Sequence, residues 1–248
     1  MYTIIVCKYT DEGSESMMKN QIDRPSLKIS AKDFAYNQIK QRIIEGKLHP
    51  DQSVIEEDLS SKLEISRTPL REALQRLELE NMVIRQSNGR LKIAPISVKE
   101  VKEIFNVRSK LEGIVTVEAT ENATDDDIKN LSNITCNIKK AYQEGSIQDI
   151  LYYGAKFHSY IYELSGNKTV NNILSQLNDH IHRYRRLVPK QNIDQIIEED
   201  EHQVILNYIA DRDAKGAARA MQKHIENSLA SAITAIEAYE KNKARSIW

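Results

Sequence analysis

Apolar positions recur at steps of three and four through most of the chain, the pattern of helices rather than of alternating strands. The first such stretch is Ala31 to Glu45, where Phe34, Ala35, Ile39, Ile43 and Ile44 form a stripe and Gly46 ends it. Pro50 marks the turn that follows. Val54, Ile55, Leu59 and Leu63 then predict a short helix over Ile55 to Lys62, with Ser53 and Glu56 at the spacing of a capping box. Glu64-Ile65-Ser66 makes a turn. Arg67 opens a second helix with Pro69 in its first turn, where a missing N–H has no consequence, and Leu70, Ala73, Leu74 and Leu77 give it a buried face. From Met82 to Ala94 the pattern changes. Two short β-prone runs flank Asn88-Gly89, which predicts a hairpin with a type I′ turn. A helix-turn-helix followed by a hairpin is a winged helix.

Pro95 closes the hairpin, and Ser97 to Glu100 has capping-box spacing again. The helical period then continues to the end of the chain. It predicts helices over Val98–Ala119, Thr124–Gly145, Ile147–Leu164, Lys168–Leu187, Ile193–Ala210 and Asp213–Tyr239. Asp125 to Asp127 suit the N-terminal dipole of the second. The expected fold is mainly α: a tail over 1–29, a winged helix-turn-helix over 30–96, and an antiparallel six-helix bundle over 97–248. A small strand could add at Ser26 to Ile29.

Composition changes this picture little. The net charge of −1 gives no global case for a nucleic-acid partner. The basic signal is local: Arg67 to Lys92 holds six basic residues against three acidic ones, whereas 97–248 holds 20 against 22. No apolar run approaches a membrane span and no export signal is present, so the expectation is a cytoplasmic protein with no membrane partner. Cys7 and Cys136 form no metal or redox motif and are expected as free thiols.

Candidate chemistry concentrates in two places. The first is the start of the second short helix. Arg67 and Arg71 can each grip a guanine edge or a phosphate, and the Ser66 and Thr68 hydroxyls suit phosphate oxygens. The same residues also fit an ordinary solvated helix. The second is a set of three histidines, His158, His202 and His224, each mid-helix on or beside an apolar face. They fit hydrogen-bonded core positions, or a metal centre if three helices converge.

The stretch "ISRTPLREALQRLELENMV" resembles the GntR family of bacterial transcription regulators. The resemblance implies that Arg67, Thr68 and Arg71, with Ser66, contact double-stranded operator DNA and that the wing tip at Gly89 enters the minor groove. A family contact position in the preceding helix, often Arg, is Glu57 here. The rest is similar to the FadR-type C-terminal (FCD) group through "VRSKLEG" at 107–113, "FH" at 157–158, "SGN" at 165–167, "EH" at 201–202 and "MQKHI" at 221–225. Many members hold a divalent metal such as zinc or nickel with one Asp and three His, and bind a small carboxylate effector over it. Those histidines would be His158, His202 and His224. The Asp position, four residues before the first, is Gly154. In another branch the pocket is metal-free.

The resemblance also implies that Arg108 grips the effector carboxylate, although its spacing to Glu112 equally fits a surface ion pair. Arg183, Arg185 and Arg186 are further pocket candidates. His180 and His182, two apart on a helix, diverge and are not expected as joint ligands. The expectation is a homodimeric, ligand-responsive repressor and not an enzyme. The rivals are a metal-dependent hydrolase with an accessory DNA-binding domain, and a bundle that serves only to dimerise.

Overall fold

A computed structural model describes residues 29–185 and 201–245. They fall into two compact units that divide between Pro95 and Ile96. Residues 1–28, which hold the tail and most of the strand expected at Ser26–Ile29, the start of the helix expected from Ile193, and Arg186 lie outside the described residues, and Ile29 itself is in no strand.

The first unit is a winged helix-turn-helix. Helix α1 spans Ala31–Ile44, and Ser30 caps it by accepting from Asp33 N at 3.2 Å. Its inner face is Ala35, Tyr36, Ile39 and Ile43, whereas Phe34 is 41% exposed. Tyr36 takes the inner position because its ring and its hydroxyl are both satisfied there. The Arg76 guanidinium lies 3.6 Å over the ring, and the hydroxyl donates to Glu80 at 2.7 Å. Strand β1 (Ser53–Val54) precedes α2 (Glu56–Leu63), which ends at Glu64 in a left-handed conformation. Helix α3 is Arg67–Leu79 and buries Leu70, Ala73, Leu74 and Leu77, the face set by the sequence period. Strands β2 (Val83–Arg85) and β3 (Leu91–Ile93) form the wing.

Two local expectations are corrected. Ser53 does not cap α2. It is drawn into β1, which pairs with β3 antiparallel (Ser53 with Lys92, Val54 with Leu91), and Ile55 takes the N-cap position with no side-chain bond. The sheet therefore has three strands in the order β1-β3-β2. The wing turn is not type I′. That turn needs positive φ at both central residues, and here Gly89 has φ of +79° while Asn88 does not share it. Gly89 N donates to Gln86 O at 2.9 Å and Gln86 N to Arg90 O at 2.8 Å, the pattern of a three-residue loop closed by a glycine bulge.

The second unit is an antiparallel bundle of six helices among the described residues: α4 (Val98–Asn122), α5 (Asp125–Gln143), α6 (Ile147–Ser165), α7 (Lys168–Arg185), α8 (Glu201–Ala210) and α9 (Ala214–Arg245). Ser97 caps α4, and Thr124 with Asp127 forms a full capping box on α5. Helix α4 packs against α6, α7 and α9. A core that includes Val115, Ala119, Phe157, Ile161, Leu206, Met221 and Ile225 closes around it. Cys136, expected as a free thiol, is disulfide-bonded. No helix among the described residues is long and apolar enough to cross a membrane.

Candidate metal centre and nucleic-acid interface

The bundle brings together all three histidines singled out by the sequence. His158 comes from α6, His202 from α8 and His224 from α9, with exposures of 3%, 9% and 8%. One ligand atom from each lies within 4.8 Å of the others. The His158 and His224 rings stack at 5.3 Å, and His202 meets His224 edge-on at 4.5 Å. Phe157 wedges against His202 at 5.0 Å and so fills the apolar side of the cluster.

Two carboxylates, the buried Glu112 and the partly exposed Glu201, fix which nitrogen each ring presents. His158 Nδ1 lies 3.1 Å from Glu112 Oε2, and His224 Nδ1 lies 2.6 Å from Glu201 Oε2. An ionised carboxylate only accepts, so both Nδ1 atoms carry a proton, and the neutral His158 ring presents an Nε2 lone pair. The two Nε2 atoms stand 3.3 Å apart. Two nitrogens this close need either a shared proton or a metal cation between them. Two nitrogens held at about 2.0–2.1 Å by one tetrahedral ion stand about 3.3 Å from each other. The donor set therefore fits a zinc-like ion, with each orienting carboxylate in the outer shell.

The charge states agree with this. Burial pushes His158 down to about 4, further than the Glu112 charge lifts it, so the ring is neutral near pH 7. Burial also works against ionisation of Glu112. The neighbouring His158 and Arg108 charges and the bonds from His158 and Tyr162 outweigh it and hold the carboxyl well below its usual range. Burial, then the Glu112 charge, raises Tyr162, whose hydroxyl stays protonated and donates to Glu112 at 2.5 Å.

Arg108 is only 1% exposed. Its ion pair with Glu112 is therefore internal and not the surface pair that spacing alone allows. Nε and Nη2 lie 3.0 and 2.9 Å from Glu112 Oε1, while Nη1 is buried and makes no hydrogen bond. Gly154 sits where the sequence places it, one turn before His158. A Cβ there would come no closer than 4.0 Å to anything, and its neighbour at that distance is His202 Nε2. The position of the missing Asp thus faces the cluster and is open. Arg183 is buried at 4%.

Spacing does not single out Glu112, Glu201 or Tyr162 as partners of the cluster. Tyr162 lies four residues after His158 on the same helix face, which is a usable signal. Glu201 adjoins His202 in sequence yet serves His224, and only the packing of α8 on α9 reveals that.

In the first unit, Ser66, Arg67, Thr68 and Arg71 are all exposed at the start of α3, and Gly89 is exposed at the wing tip. Ser66 occupies the N-cap position without a side-chain cap bond, so its hydroxyl does not compete for the first-turn N–H groups. Arg71 Nε bonds Glu56 Oε2 at 2.8 Å, and Arg67 Nη2 lies 3.4 Å from Glu57 Oε1.

Comparison with known proteins converges on one family. Residues 31–93 match the family model for bacterial regulatory proteins of the gntR family, and residues 103–227 match the FCD domain. The HTH-type transcriptional regulator YdhC of Bacillus subtilis (strain 168) is 29% identical over 153 residues, which is 61% of this chain and 68% of the relative. The HTH-type transcriptional repressor GlaR of Escherichia coli (strain K12) is 24% identical over 198 residues, 77% of this chain and 90% of the relative. The structure of E. coli McbR/YncC superposes with a TM-score of 0.67 at 21% identity, covering 85% of this chain and 99% of that one, which shows a shared fold. The chain belongs to the GntR family of bacterial regulatory proteins, in the group carrying an FCD domain, and is a DNA-binding transcription regulator.

Proposed function

We propose that the protein is a cytoplasmic, homodimeric repressor whose affinity for operator DNA is set by a small carboxylate bound in the helical domain. The domains are taken as 30–96 for DNA and 97–248 for effector and dimerisation. Ser66, Arg67, Thr68 and Arg71 meet the major groove of one half-site of a palindrome, and Gly89 brings the wing tip to the adjacent minor groove. Effector binding changes DNA affinity through a coupling free energy between the two domains.

The observation that carries the effector half is the pair of carboxylate-oriented imidazoles whose Nε2 atoms face each other at 3.3 Å. His158, His202 and His224 would hold a divalent ion such as zinc or nickel, which supplies Lewis-acid affinity for an anion. Gly154 leaves the side next to His202 free for the effector's carboxylate, and the Nη1 of Arg108 is the candidate second grip. A hydrolase is disfavoured because Glu112 and Glu201 already accept from imidazole N–H groups, leaving neither as a free general base. The relatives named above are regulators, which points the same way.

The test is metal content by plasma mass spectrometry on protein purified without chelator or affinity tag, beside His158→Ala. About one metal per chain, lost in the variant, supports the centre. Absence of metal in the wild type after incubation with zinc or nickel removes the ion from the proposal and turns the effector search to metal-independent ligands.

A further inference from the structure

Arg85 is one of the six basic residues between Arg67 and Lys92, and its side chain is about half exposed. Its guanidinium is nonetheless committed within the protein. Nε and Nη2 donate to the two carboxylate oxygens of Glu78 at 3.1 and 2.8 Å, and Nη1 donates to the main-chain oxygen of Gly89 at 3.2 Å. Glu78 lies in the last turn of α3, Arg85 ends β2, and Gly89 is at the wing tip. One planar group therefore spans from the recognition helix to the tip of the wing.

This is more than an ordinary surface pair. A guanidinium fork on both oxygens of a carboxylate fixes orientation as well as distance. Glu78 also stands at the helix end where the dipole disfavours an anion, and the Arg85 cation offsets that. The third bond reaches into the loop beyond the β2–β3 ladder, which ends at Arg85 and Leu91. The loop's other bonds are local: Gly89 N to Gln86 O, Gln86 N to Arg90 O, and Arg90 N to Asn88 Oδ1. They shape the loop but do not aim it. Of these bonds, only that from Arg85 connects the loop to α3.

We propose that Arg85 is a positioning residue of the DNA interface. Clamped by Glu78, it holds the wing tip in place relative to the recognition helix, and it touches no phosphate itself. Helix and wing then reach the duplex already set to each other, and binding does not have to order the loop. This rests on the assignment of the wing tip to the minor groove.

The experiment uses the full-length protein and a duplex enriched by the wild type from a randomised library. Wild type, Arg85→Lys, Arg85→Ala and Glu78→Gln are compared by mobility-shift titration at several salt concentrations and by hydroxyl-radical footprinting, with circular dichroism checking the fold of each. Arg85→Lys keeps the charge and loses the fork. It should bind roughly two- to fivefold more weakly, the scale of an exposed pair, and lose minor-groove protection while keeping the protection due to α3. Glu78→Gln should lose the same protection, although it removes a negative charge near DNA. Arg85→Ala should keep the wild-type slope of log affinity against log salt, because no phosphate contact is lost. Unchanged protection in Arg85→Lys would overturn the inference, as would stronger binding by Glu78→Gln with wing protection intact. A slope smaller by about one in Arg85→Ala would make the residue a phosphate contact instead and overturn it too. Absence of minor-groove protection in the wild type would overturn the placement of the wing, and the inference with it.

Discussion

Glu112 is the point at which stability and metal affinity can be separated. It is fully buried and receives Arg108 through two nitrogens, His158 Nδ1, and the Tyr162 hydroxyl. Glu112→Gln keeps the volume and removes the charge. At 2.9 Å, Arg108 and Glu112 attract by about 6 kcal/mol at an effective dielectric constant of 20. Losing one partner leaves Arg108, 1% exposed, as an uncompensated internal cation, for which about 3–5 kcal/mol of destabilisation is expected. That is a large part of the roughly 5–15 kcal/mol a domain has. The same change releases His158 from its tautomer, and metal affinity should fall about 10–100-fold. Urea unfolding followed by circular dichroism in chelator reads the first effect, and competition with a chromophoric zinc chelator reads the second. In the pair Arg108→Met with Glu112→Leu, both charges are gone. Stability should then return in part, since the His158 Nδ1 and Tyr162 hydroxyl donors are left without Glu112, while metal affinity stays low. A Glu112→Gln midpoint equal to wild type would refute the reasoning, because it would mean the Arg108 charge is not held by this carboxylate.

Other outcomes follow from the two units. Arg71→Ala should weaken operator binding by about 1–3 kcal/mol if it reads a base, measured by mobility-shift titration; unchanged affinity removes it from the interface. Gly154→Asp adds a carboxylate on the open side facing His202 and should raise zinc affinity by about tenfold or more in the same chelator competition, with no loss of folding. Burial works against ionisation of Glu80, but its bonds to Lys40 and Tyr36 win and lower its folded value from 4.5. Its contribution is therefore present above the ordinary carboxylate range and lost as pH falls through the folded value. Glu80→Gln should be destabilised by about 1–2 kcal/mol at pH 7, and the gap to wild type should close in acid in a pH series of urea midpoints.

The winged fold was legible because its apolar period is unbroken: every residue assigned to the buried face of α3 is buried. Short strands were not. Ser53 has the spacing of a cap, and its recruitment into β1 depends on β3, about forty residues away, which no local pattern reports. Asn88-Gly89 is a good type I′ pair, yet the strands meet at Arg85 and Leu91, which leaves too many residues between them for a two-residue turn. In the bundle, helical spacing reveals which residues share a face on one helix. It revealed Arg108 with Glu112 but not their burial, and the three histidines but not the carboxylates that aim two of them. Those relations are made between helices.

The pairing of β1 with β3 also has a mechanical meaning. Strand β1 runs directly into α2, and β3 is the returning strand of the wing, so the ladder joins the helix-turn-helix to the hairpin by main-chain hydrogen bonds. The wing is not a free flap on a tether. It moves with α2 as one jaw of a caliper of fixed span. A duplex whose groove widths do not match that span must itself be deformed to fit, so the stiffness of the DNA sequence enters the binding energy at base pairs no side chain touches.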